Sequence, residues 1–86
     1  MKKLQFDAVA FRHLEEWKQS DPKIAARIGD LIRDTLRDPF KGIGKPEALK
    51  YDLKGYWSRR ITHEHRLVYK ITDDAIIITS CKFHYK

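Results

Sequence analysis

The chain has 86 residues, 42% hydrophobic and 35% charged, with a net charge of +6. A chain this short folds around one core, burying roughly 60–65% of its unfolded surface, so residues 1–86 are read as a single domain. No apolar run approaches the ~20 residues of a membrane span, Met1–Asp7 lacks a signal peptide's apolar stretch, and the single Cys81 excludes an internal disulfide, which together give a cytoplasmic, reducing setting as the expectation.

In chain order, Lys3–Phe6 is read as a short edge strand. From Asp7 the period changes. Ala10, Leu14 and Trp17 recur at i, i+4 and i+7, with Phe11 widening the stripe, while Arg12, Glu15, Glu16 and Lys18 take the other face. This predicts a helix capped by Asp7 and ending near Gln19. Ser20-Asp21-Pro22 supplies a cap followed by proline at the first helical position. The second helix carries Ile24, Ile28, Leu31, Ile32, Thr35 and Leu36 on one face, and Gly29 is read as a point of close approach. Asp38-Pro39 ends it, because the residue before proline is steered away from helical geometry.

Residues 38–50, DPFKGIGKPEALK, hold two Gly and two Pro and are read as an ordered crossover loop beside a sheet. Strands are expected at 56–61, 66–71 and 75–83, joined by turns at 62–65 and 72–74. The expected fold class is α+β: an N-terminal strand and a helical hairpin packed on one face of a small antiparallel sheet, leaving the other face to solvent.

The positive balance favours a polyanionic partner, nucleic acid most simply, or an acidic protein. It gathers in GYWSRRITHEHRLVY at 55–69, a hairpin pattern loaded with Arg59, Arg60 and Arg66. Alternation sets Arg66, Val68 and Lys70 on one face of their strand and Leu67, Tyr69 and Ile71 on the other. In the last strand it separates Ile76, Ile78, Ser80, Lys82 and His84 from Ile77, Thr79, Cys81, Phe83 and Tyr85. Giving the apolar sets to the helices lets Arg66, Lys82 and His84 converge on the open side with Ser58, Arg60 and Thr62. A one-residue bulge would reverse any of these assignments.

An open cationic face with one histidine suggests phosphodiester chemistry that asks for no metal or cofactor. RNA supplies its own nucleophile, the 2′-OH. The protein then needs a base, an acid for the departing 5′-oxygen and cations for the charge on phosphorus. His84 suits acid or base, and Arg60 and Arg66 suit the phosphate. The partner carboxylate is Glu47 in the loop or Glu64 in the turn. His63 and His65 have H-x-H spacing but no third ligand in evidence, and read as an exposed turn rather than a metal site. Tyr56, Trp57 and Phe83 could stack on bases, although aromatics in a small protein are more often core. His13 reads as surface and Cys81 as core. A non-catalytic basic module that blocks translation by occupying RNA or ribosomes is the alternative.

GKPEALK at 44–50, LKGYWSRRIT at 53–62, EHRLVY at 64–69 and CKFHY at 81–85, with Trp17, Asp21 and DLIRDTLRDPF, resemble the YoeB (Txe) family. These are bacterial type II toxins within the wider RelE-like ribonucleases. The resemblance implies that fold and a ribosome-dependent endoribonuclease cutting mRNA in the ribosomal A site. It also implies inhibition by a YefM-like antitoxin and a homodimer when free. Carried over by position, it makes Glu47 the general base, His84 the general acid and Arg66 the transition-state cation. Lys50, Arg60, Glu64 and Tyr85 become supporting positions. Two departures stand out: His63 where an acidic residue is usual, and Lys86 beyond the usual terminal His-Tyr.

Overall fold

A computed structural model of the chain describes residues 2–83. Its order is β1 (Lys3–Phe6), α1 (Ala8–Ser20), α2 (Pro22–Arg37), β2 (Glu47–Ala48), a 3-10 turn (Tyr51–Leu53), β3 (Tyr56–Arg60), β4 (Arg66–Ile71) and β5 (Ala75–Ser80). The five strands form one sheet in the order β1-β5-β4-β3-β2. The meander β3-β4-β5 is antiparallel as expected. The sheet as a whole is mixed, because β1 adds parallel to β5 with Leu4 beside Ile76, and β2 forms within the crossover loop against β3.

Local chemistry sets the helix ends. Asp21 is the one-residue link between the helices: its N–H donates to the Trp17 carbonyl and its carboxylate accepts from Ile24 N–H at 3.4 Å. Asp7 occupies the N-cap of α1 without a side-chain cap bond. In α1, Ala10 and Trp17 are buried and Leu14 packs partly against the core, but Phe11 is 50% exposed. His13 flanks the stripe instead, half-buried, with Nδ1 accepting from Cys81 N–H at 3.3 Å. His13 is therefore not the plain surface residue expected. The wider stripe of α2 is as expected, with Ile28, Leu31 and Thr35 fully buried and the Thr35 hydroxyl donating to the Leu31 carbonyl. Gly29 makes no close approach: a Cβ there would meet only the Arg33 side chain, at 3.7 Å.

The core lies between the helices and one sheet face, where Ile28 and Leu31 meet Leu67, Tyr69, Ile76 and Ile78, all at most 1% exposed. Each such large aliphatic side chain contributes about 1.5–3 kcal/mol on burial. Ile76 and Ile78 belong to the set expected on the open side, and a bulge explains the reversal. Tyr69 pairs with Ile78 and Val68 with Ser80, leaving Thr79 as an extra residue on β5. The extra residue returns Cys81 to the core, fully buried, and β5 ends at Ser80 rather than Phe83.

Candidate active site

Ladder register decides which side chains can meet on the sheet face away from the helices. Glu47 pairs with Ser58, Ser58 with Val68, and Val68 with Ser80, which lays one rung across four strands. The neighbouring rung pairs Arg60 with Arg66. Cβ atoms directly opposite on such a ladder lie about 4.5–5.5 Å apart, and positions two along a strand follow on the same face. Glu47, Arg60 and Arg66 therefore share one patch. The face is less open than expected, since Ser58 and Val68 are buried at 4% and 5% exposure. They form a floor with the charged residues around it.

Placing two guanidiniums opposite each other is unfavourable in the absence of an anion. One of the two is restrained: Arg66 Nη1 donates to the carbonyls of Thr62, His63 and His65, at 2.8, 3.1 and 3.1 Å. The turn that holds it is itself tied by Thr62 Oγ1, which accepts from Glu64 N–H and His65 N–H. Arg60 remains exposed. Next to Glu47, a concavity of about 400 Å³ is lined by residues 47–53, including Lys50 and the 91% exposed Tyr51.

The loop that leads into β2 and Glu47 is held by Arg59, whose role the sequence did not reveal. Arg59 is fully buried on the helix side and is no part of a cationic surface. Its Nη1 donates to Asp34 Oδ2 at 2.6 Å and to the Ile43 carbonyl. Its Nη2 donates to the carbonyls of Asp38 and Lys41, and its Nε to the Tyr69 hydroxyl. The Tyr69 hydroxyl in turn donates to the Pro39 carbonyl at 2.8 Å. The loop from α2 to β2 is thus wrapped around one guanidinium, which satisfies backbone groups that no strand or helix could. Burial pushes the Tyr69 hydroxyl pKa up, against the pull of Arg59. The Ile43 N–H and then Arg59 hold the Asp34 carboxyl down at about 2.

Gly44 closes the loop against β3, its carbonyl accepting Arg60 N–H at 2.6 Å. With φ of +78°, a Cβ there would stand 2.7 Å from Leu31 Cδ2 and 3.1 Å from the Arg60 carbonyl. That glycine is required both by backbone conformation and by space.

The remaining expected site residues divide. Glu64 is exposed in the turn and Lys50 at the start of the 3-10 turn. Lys82 does not join Arg66: it lies past the end of β5, where its ammonium pairs with Glu16 on α1 at 3.1 Å and lies over the Trp17 ring. That bond lowers the Glu16 carboxyl, while burial lowers the His13 imidazole. Trp57 packs edge-on against Phe40 at 5.1 Å and partly against the core. Desolvation pushes the Cys81 thiol up to about 12, which makes it an unreactive core group. His84, Tyr85 and Lys86 lie outside the described residues.

A family model described as the YoeB-like toxin of bacterial type II toxin-antitoxin systems matches residues 6–85. This chain belongs to that family. Toxin YoeB of Escherichia coli K12 is 56% identical over 69 residues, covering 80% of this chain and 82% of that relative. A solved YoeB dimer from Staphylococcus aureus superposes with a TM-score of 0.90 at 46% identity, covering 98% of both chains. A heterotetrameric YoeB–YefM toxin–antitoxin complex from the same organism gives 0.88 at 45% identity over 99% of each chain. The YoeB-type α+β architecture therefore holds from β1 through the meander. Among the described residues, no helix is long and apolar enough to cross a membrane.

Proposed function

We propose that this YoeB-family toxin is a ribosome-dependent endoribonuclease that cleaves mRNA in the ribosomal A site, by acid–base catalysis without metal, and so stops translation. Glu47 takes the proton of the 2′-OH. The 2′-oxygen forms a bond to phosphorus as the bond to the 5′-oxygen breaks, and His84 protonates that departing oxygen. Arg66 balances the charge that develops on the phosphate, with Arg60 and Lys50 holding the backbone and Glu64 and Tyr85 supporting the pair. The products are a 2′,3′-cyclic phosphate, or the 3′-phosphate from its opening, and a free 5′-hydroxyl.

The observation that carries this reading is the pairing of Glu47 with Ser58 beside the Arg60–Arg66 rung, which puts a carboxylate and two guanidiniums on one face. A base, a phosphate fork and a restrained cation are the parts such a reaction draws from a sheet. The net charge of +6 suits an RNA-rich partner. The S. aureus complex and dimer support two further parts of the proposal: a YefM-like antitoxin as inhibitor and a homodimer as the free form. The setting is cytoplasmic, where ribosomes and message are.

Cleavage of ribosome-bound mRNA in a reconstituted translation reaction tests the proposal. The parent chain is expected to yield cyclic-phosphate ends, with Glu47→Gln and His84→Ala slower by about 10²–10⁴. Arrested translation with intact message would overturn the nuclease in favour of simple occupancy.

A further inference from the structure

The proton donor proposed above follows directly on Phe83, and Phe83 is tied on both sides of its main chain. Its N–H donates to His65 Nδ1 at 2.7 Å, and its carbonyl accepts from Arg66 N–H at 3.1 Å. Burial of its own ring does not hold it, for Phe83 is 61% exposed. Its φ of +63° is a conformation that a residue with a side chain seldom adopts unless something imposes it.

His65 is well fixed for that task. Its ring stands edge-on to Trp17, centroids 4.8 Å apart at 80°, and tilted against Phe83 at 5.7 Å. Its own N–H donates to Thr62 Oγ1, and its carbonyl accepts from the N–H groups of Ile61 and Thr62 as well as from Arg66 Nη1. One turn thus anchors two things at once: the guanidinium of Arg66 and, through an imidazole nitrogen, the chain that leads into residue 84. An Nδ1 that accepts carries no proton, so the neutral ring has its hydrogen on Nε2.

We propose that His65 is a positioning residue for the nuclease reaction, holding the Phe83 main chain beside Arg66 through Nδ1 and so fixing the point from which the chain continues to His84. It rests on the nuclease function proposed above, in which His84 is the acid. His65 itself transfers no proton to the substrate. Packing on Trp17 needs only a flat ring, whereas holding Phe83 needs an acceptor, and two substitutions separate these roles. His65→Phe keeps the ring and removes the acceptor. His65→Asn removes the ring and sets an amide oxygen where Nδ1 stands.

Single-turnover cleavage of ribosome-bound message, measured across toxin concentrations, and hydrogen exchange of the Phe83 amide test both halves in the full chain. His65→Phe is expected to lose amide protection and to lower the cleavage rate at saturation by up to about 10², with half-saturation unchanged. His65→Asn is expected to restore both protection and rate. A His65→Phe protein that cleaves at the parent rate, or keeps the Phe83 amide protected, overturns the proposal. So does a His65→Asn protein as slow as His65→Phe. If the parent chain cuts no ribosome-bound message, the nuclease function fails and the catalytic half falls with it, whereas the exchange data still report on the clamp.

Discussion

Arg59 and Arg60 are neighbours on β3 with the same side chain and opposite fates. Arg59 has no exposed surface and spends its guanidinium on Asp34, Tyr69 and three loop carbonyls. Arg60 is exposed and stands opposite Arg66, with Glu47 one rung away. One strand therefore has an inward arginine that builds the loop and an outward one that meets whatever binds. The lesson is that cationic charge on this hairpin is not a single feature. A buried guanidinium with every donor used stabilises a shape, while an exposed guanidinium facing another is poised for an anion.

The sharpest way to separate the two regions is to remove one function without the other. Arg66→Ala and Glu47→Gln are expected to lower message cleavage by about 10²–10⁴ while leaving the thermal midpoint within a few degrees. On the inner side the signs reverse. Arg59→Met should lower unfolding free energy by on the order of 3–5 kcal/mol in urea titration, because it strands the carbonyls of Asp38, Lys41 and Ile43 and leaves Asp34 only Ile43 N–H and Arg37 as partners. An Arg59→Met protein as stable as the parent would remove the structural half of the comparison. Gly44→Ala should cost about 1–3 kcal/mol through its positive φ and the contact with Leu31, measured the same way.

The inner region also has a pH signature. Asp34 titrates near 2 when folded, below its unfolded value, so its contribution is present above the ordinary carboxylate range and is lost as pH falls toward 2. Urea midpoints taken from neutral pH downward should fall less steeply for Asp34→Asn than for the parent. The smallest effect is expected outside: Arg60→Ala should change stability by less than about 0.5 kcal/mol. It should nonetheless weaken the salt-sensitive part of RNA binding, which titration at two ionic strengths would reveal.

Much of the architecture was legible because its signals are local. Asp21-Pro22 and Asp38-Pro39 bracket α2 where the structure has it, and its apolar stripe lies on the buried side. The meander followed from β-branched runs between turn residues. What escaped depends on partners distant in sequence. Thr79 carries no mark of a bulge, yet the slip at Val68/Tyr69 lets Ile76 and Ile78 face inward with Cys81, and β5 stops before Lys82, which meets Glu16 instead. Phe11 outranks His13 in hydrophobicity, but only His13 has the Cys81 N–H to meet. Arg59 and Arg60 read identically as letters. Alternation alone puts them on opposite faces, and an arginine is seldom assigned to a core. In the candidate site, Glu47, Arg60 and Arg66 were named from sequence and resemblance, and the ladder register shows that they share a face. The two-residue strand β2 that carries Glu47 was hidden in a Gly/Pro loop, since two residues have no periodicity to detect.

The buried thiol has a use of its own. Cys81 is fully buried, with its sulfur 3.5 Å from the Ala10 carbonyl and its own carbonyl held by the Trp17 indole at 2.8 Å. A thiol buried and held at about 12 reacts with an alkylating reagent only after the backbone around Cys81 separates from Ala10 and Trp17 of α1. Where reclosing outpaces labelling, the rate of modification at neutral pH therefore reports the free energy of that opening, with no mutation introduced. Because Cys81 lies two residues before Phe83, the chain has a native reporter beside the segment that leads into its proposed acid.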